Sequence, residues 1–138
     1  MSFFDQLHST WQSAKAEKER IERERLYQQT HLTDADMQAV ALVKRLCTDP
    51  SLKPKILAAA QSLKNSCELY SGGDLMILGH LNYTTQQQVI QDITTFILEH
   101  YGSKFNVTIQ DSCDGYGQYN AAGALMNVTF GLSWYHLG

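Results

Sequence analysis

The residues most able to do chemistry sit close together late in the chain. Asp111, Cys113 and Asp114 stand beside Gly115 in a stretch running Ser112-Cys113-Asp114-Gly115-Tyr116-Gly117-Gln118-Tyr119-Asn120. A calcium loop places oxygen ligands at its first, third and fifth positions, a glycine at the sixth and a glutamate at the twelfth. Counted from Asp111, the third, fifth and sixth positions hold Cys113, Gly115 and Tyr116 instead, so the pattern fails. Zinc fares no better, because Cys47, Cys67 and Cys113 are twenty and forty-six residues apart and no histidine stands at ligand spacing from them. Gly115-x-Gly117 lacks the strand–turn–helix setting of a dinucleotide site and reads as turn chemistry. The remaining chemical reading is a thiol nucleophile: Cys113 with His80, His100 or His136 as base and an Asp beside it. Cysteine and histidine occur in most chains of this length, so a cysteine hydrolase ranks last among the readings. No catalytic residue, metal or cofactor is expected.

The elements that position this stretch are legible on either side. Thr84-Thr85-Gln86-Gln87 has the form of a capping box. It is followed by Val89, Ile93, Phe96 and Ile97 on one helical face, and Tyr101-Gly102 supplies the stop. From Lys104 to Asp111, Phe105, Val107 and Ile109 alternate with Asn106, Thr108 and Gln110. Met126, Val128, Phe130, Leu132 and Trp134 alternate likewise, which predicts two half-buried strands behind an amphipathic helix. The intervening Ser112–Gly123 segment is long for a hairpin connection, a length usually associated with function.

Upstream, nine of the eleven residues from Lys15 to Arg25 are charged, with i,i+4 pairs such as Lys18/Glu22. Residues 1–31 therefore read as a charged helical arm, whose Phe3, Phe4, Leu7 and Trp11 end invites a partner. A second helix is expected from Thr33, with Asp36 as capping partner and Ala39, Leu42, Val43, Leu46 and Cys47 as its buried stripe, broken at Asp49-Pro50. A third is expected from Leu52 through Tyr70, ending at Ser71-Gly72-Gly73. Leu75–Leu81 reads as a short strand. Residues 32–138 would then form one α+β domain of order ααα-β-α-β-β, with N-terminal helices and a small, mostly antiparallel sheet carrying one packed helix.

Composition narrows the function classes. Residues 1–65 hold ten of the eleven Lys/Arg against eight acids, whereas residues 66–138 hold only Lys104 against six acids. That second half is a poor partner for phosphates, so no nucleic acid is expected. No apolar run reaches the ~18–20 residues of a membrane span. Residues 1–11 lack the basic and apolar segments of a secretory signal. With three unpaired cysteines, these features point to a cytoplasmic protein, and the Asn82, Asn106 and Asn127 acceptor motifs to plain polar positions.

A family resemblance adds to this. Asp92-Ile93-Thr94-Thr95-Phe96-Ile97, then His100-Tyr101-Gly102-Ser103-Lys104-Phe105-Asn106-Val107-Thr108-Ile109, resembles the second helix and following strand of the small dynein light chains. Tyr116-Gly117-Gln118-Tyr119 is similar to the aromatic-Gly-x-aromatic opening of that family's partner-binding edge strand. Phe130-Gly131 with its apolar tail resembles the turn into the last strand, and Phe130–Ser133 also resembles the end of the Tctex-type light chains. The match spans roughly residues 89–134. It implies a non-enzymatic adaptor, a homodimer, that binds a protein or peptide by strand addition at Tyr116, Gly117, Gln118, Tyr119 and Asn120. Where the family carries an acid and a lysine that hold the bound peptide, this chain has Ile90 and Gln91, which places Gln91 in the implied site. The rival reading is a small inhibitor or adaptor, of the kind carried by phages or mobile elements, whose acidic surface takes a basic protein.

Overall fold

A computed structural model of the chain describes residues 2–112 and 127–134. Its elements run α1 (Phe3–Thr30), α2 (Asp34–Cys47), α3 (Leu52–Gln61), β1 (Ser66–Gly72), a 3-10 helix (Asp74–His80), α4 (Tyr83–Tyr101), β2 (Asn106–Ser112) and β3 (Asn127–Ser133). The three strands form an antiparallel sheet of order β1-β3-β2. The chain is an α+β fold. One face of the sheet is covered: α2 and α3 pack on β1, α4 packs on β2, and α2 also meets α4 and the 3-10 helix.

Burial explains why β3 is the middle strand. Val128, Phe130 and Leu132 are almost wholly buried on the covered face. The opposite face carries Thr129 and Gly131, with Ser71 and Thr129 hydroxyls 2.9 Å apart across the β1–β3 pair. Phe130-Gly131 thus lies within the strand, and the expected turn there is corrected. A side chain at Gly131 would bring its Cβ to 2.5 Å from Thr108 Oγ1, which leans across from β2.

Two further expectations are corrected. The third helix does not reach Tyr70: α3 ends at Gln61, and Ser66–Gly72 is a strand. The middle strand needs a second neighbour for its backbone N–H and C=O groups, and β1 provides it through Ser66↔Ser133 to Gly72↔Val128, with a bulge between Glu68 and Tyr70. The expected strand Leu75–Leu81 is the 3-10 helix. Leu75, Leu78 and Leu81 are the buried residues while Met76 and Ile77 are exposed, a spacing of three that matches three residues per turn rather than strand alternation.

The helices also shift in detail. Thr33 caps α2 as expected, with Thr33 and Asp36 forming a reciprocal box. The buried stripe is Asp36, Val40, Val43 and Cys47, whereas Leu46 is exposed and Ala39 and Leu42 half-buried. Asn82, not Thr84, caps α4, its side chain accepting from the Thr85 N–H at 2.8 Å. Gln86 then turns inward and donates to the carbonyls of Leu78 and Leu81. Val89, Ile93 and Ile97 are buried together with Ile90, but Phe96 is 37% exposed. Phe96 lies at the α2–α4 border, where Lys44 sits 5.3 Å over its ring and 2.7 Å from Asp92. Removing the Phe96 side chain is therefore expected to cost less than removing a fully buried aromatic.

The turn after α3 carries a conformational cost. Lys64 N–H bonds to Ala59 O and Leu63 N–H to Ala60 O, the double bond of a Schellman motif, whose left-handed position glycine normally fills. Here it is Leu63, with φ 61° and 90% exposure. Leu63→Gly is expected to stabilise the fold by about 1 kcal/mol, measured as a higher urea midpoint at unchanged slope.

α1 is 28 residues long, roughly 42 Å at about 1.5 Å per residue, and buries none of them. Among the described residues, the contacts that tie it down are at its last turn, through the Gln28 and Gln29 carbonyls described below. Deleting residues 1–31 is expected to leave cooperative thermal unfolding with a midpoint lower by at most about 8 °C; calorimetry of the truncated chain checks this.

Candidate functional site

The aromatic and glycine positions implicated by sequence, Tyr116, Gly117, Gln118, Tyr119 and Asn120, lie outside the described residues, as do Cys113 and His136. Gln91 lies on the exposed face of α4, its Nε2 donating to Thr95 Oγ1 at 3.5 Å. It engages its own helix rather than a strand edge.

The described thiols and imidazoles have structural surroundings. Cys47 is fully buried, and burial pushes its thiol up to about 12, far from the thiolate a nucleophile needs. Its carbonyl accepts from the Tyr101 hydroxyl at 2.7 Å, tying α2 to the end of α4. His100 is exposed, with its ring edge-on to Tyr101. Among the described residues, no three His, Cys, Asp or Glu side chains converge on a point where a metal could sit.

His80 has both ring nitrogens engaged. Nδ1 is 2.7 Å from the Gln28 carbonyl and Nε2 is 2.6 Å from Asp36 Oδ2. A carbonyl and a carboxylate both accept, so a ring that donates to each is the imidazolium form. Burial works against that charge, but the bonds to Asp36 and Gln28 and the Asp36 charge outweigh it and raise the His80 pKa above 6.5. Neither nitrogen is left for a proton transfer to substrate. The pair is a clasp: it joins the end of α1, the start of α2 and the 3-10 helix, reinforced by Asn82 N–H on the Gln29 carbonyl at 2.9 Å. Sequence reasoning found Asp36 only as a capping partner and missed its bond to a histidine forty-four residues away.

What the fold offers to another molecule is backbone. Among the described residues the sheet has two outer edges, β1 and β2, and they differ. β1 is bulged at Glu68–Tyr70, a device that blunts an edge against further pairing. β2 pairs with β3 in unbroken register from Asn106↔Ser133 to Ser112↔Asn127. No described residue pairs with its other side. Its sequence, Asn-Val-Thr-Ile-Gln-Asp-Ser, contains neither proline nor lysine. Ile109 shares the covered face with Phe130, yet is 42% exposed. The alternation in sequence places Ile109 inward; its exposure follows from β2 being an edge, which strand order alone reveals. No known protein family, curated protein or solved structure matches the chain.

Proposed function

We propose that the chain is a non-enzymatic interaction module of light-chain-like plan that works by strand addition, with β2 as the accepting edge and a second copy of the chain as the donor. The observation that carries this is the regular, unbulged outer edge of β2 with a half-exposed isoleucine at its centre. Such an edge presents a row of N–H and C=O groups that another strand can satisfy.

The β2 sequence suits antiparallel pairing with itself. Centred on Ile109, the register sets Ile109 against its counterpart, Thr108 against Gln110, and Val107 against Asp111. The apolar pair falls at the two-fold axis, polar residues face one another on the open face, and the two Asp111 positions lie at opposite ends. Like charges directly opposite would oppose pairing; this register avoids them. The product is a continuous six-stranded sheet with an isologous interface.

The test is Ile109→Lys, an inward-pointing charge at the edge. Light scattering coupled to size exclusion is expected to show the wild-type chain at twice the 15.6 kDa monomer mass and the variant at the monomer mass, with the same circular dichroism. A wild-type chain that stays monomeric at high concentration, or a variant that still dimerises, overturns the reading.

A further inference from the structure

The His80 clasp also bears on where α1 points. α1 joins α2 through His31-Leu32-Thr33, with His31 and Thr33 both in extended backbone, so no continuous helix sets the direction of the arm. Hydrogen bonds from beyond this junction hold its last turn: His80 Nδ1 lies 2.7 Å from the Gln28 carbonyl, and the Asn82 N–H donates to the Gln29 carbonyl at 2.9 Å. The arm is a long lever. A swing of about 20° at its base carries the Phe3 end about 15 Å.

His80 stands between two acceptors, and a neutral imidazole has one N–H to give. Asp36 has the stronger claim on it. Its carboxylate is charged, its side chain is 1% exposed, and its Oδ1 has no partner among the described residues. Stripping Oδ2 as well would leave a buried charge served by the Thr33 N–H alone. The Nδ1 lone pair of the neutral ring then faces the Gln28 carbonyl oxygen, which is a repulsion. Loss of one proton thus breaks the bond to α1 and keeps the bond to α2. Solvent can take that proton, because the His80 side chain is 34% exposed.

Asp36 is the charge that governs the ring. Asp34, in the same turn of α2, is exposed. The last turn of α1 holds no base, the first turn of α4 no acid, and β3 no titratable residue. Asp74, at the other end of the 3-10 helix, accepts from the Tyr70 hydroxyl. His31 stacks on Tyr27, with Nδ1 3.1 Å from the Tyr27 carbonyl. Burial opposes a charge on His80, but its two bonds and the Asp36 charge raise its pKa above 6.5. The bond to α1 is therefore present in acid and lost as pH rises through that raised value.

We propose that His80 is a proton-operated latch on α1: the imidazolium fixes the arm against the 3-10 helix, and the neutral ring, retained by Asp36, frees the arm to swing about His31–Thr33. The swing moves the exposed Phe3, Phe4, Leu7 and Trp11 end relative to the sheet. The latch uses no residue of β2 and is independent of strand addition.

The experiment is an NMR titration of the full chain, following the His80 ring nitrogens and methyl residual dipolar couplings. Leu7, Ile21 and Leu26 report on α1, and Leu78, Ile93 and Ile97 on the core. Below the His80 transition, both sets are expected to fit one alignment. Above it, the α1 couplings are expected to shrink at least about twofold while the core couplings persist, and the ring to keep its proton on Nε2. His80→Gln is expected to abolish the pH dependence, Asp36→Asn to move it to lower pH, and His31→Gln to leave it in place. Couplings that stay constant through the transition, a ring that shows no transition, or a neutral ring protonated on Nδ1 overturns the proposal. So does a pH dependence that survives His80→Gln, that disappears on His31→Gln, or that Asp36→Asn leaves where it was.

Discussion

Phe130→Ala is expected to cost about 3–5 kcal/mol, the usual loss for a buried aromatic. Phe130 is wholly buried at the centre of the middle strand. It is flanked by Tyr70 on β1 and Ile109 on β2, and its ring lies 6.4 Å from that of Tyr70, tilted by 46°. Truncation removes contacts to both neighbouring strands and within the buried cluster they share with the helices. Tyr70 is held by its own hydroxyl, which donates to Asp74 Oδ2. Urea unfolding of the variant, read by circular dichroism, measures the loss. Phe96→Ala, by contrast, is expected to cost less than half as much, because Phe96 is partly exposed at the helix border.

The second large effect is expected at the clasp. Asp36 is fully buried; its Oδ2 accepts from Thr33 N–H at 2.8 Å and bonds His80 at 2.6 Å. Among the described residues its Oδ1 has no partner. Asp36→Ala removes half of a capping box and a charge-assisted bond together, a loss of about 2–4 kcal/mol. The pH dependence has a definite sign. His80 has a raised folded-state pKa, so the stability it contributes is fully present below its unfolded value near 6.5 and is lost as pH rises through the raised folded value. The urea midpoint of the wild-type chain is therefore expected to fall across that window relative to His80→Gln, which lacks the titration. A difference between the two that is flat with pH would show that the imidazolium does not form. As the clasp holds the Gln28 carbonyl, its weakening at higher pH also loosens the last turn of α1.

The strands on either side of the 113–126 segment were readable because each has one covered and one open face, and alternation records that directly. The α2 cap was readable for the same local reason, since Thr33 and Asp36 are three residues apart. Residues 66–81 were not. Ile56, Leu63, Cys67 and Tyr70 fit a helical stripe as well as they fit a helix, a turn and a strand. Backbone demand from β3, sixty residues away, decides between them. Leu75, Leu78 and Leu81 separate a 3-10 helix from a strand only when Met76 and Ile77 are seen at the surface. The same non-locality hides the candidate edge: Ile109 alternates like a buried residue, and only the order β1-β3-β2 leaves it at a border. The clasp joins residues forty-four apart with no shared motif.

The most direct test of strand addition is an isotope-filtered NOE experiment on an equal mixture of labelled and unlabelled chains. The proposed register predicts intermolecular cross-peaks from the Ile109 methyl groups to Ile109 of the other copy, with slowed amide exchange along Asn106–Ser112 that disappears on dilution. Dimers whose intermolecular cross-peaks arise from α1 or β1, with none at Ile109, would contradict it.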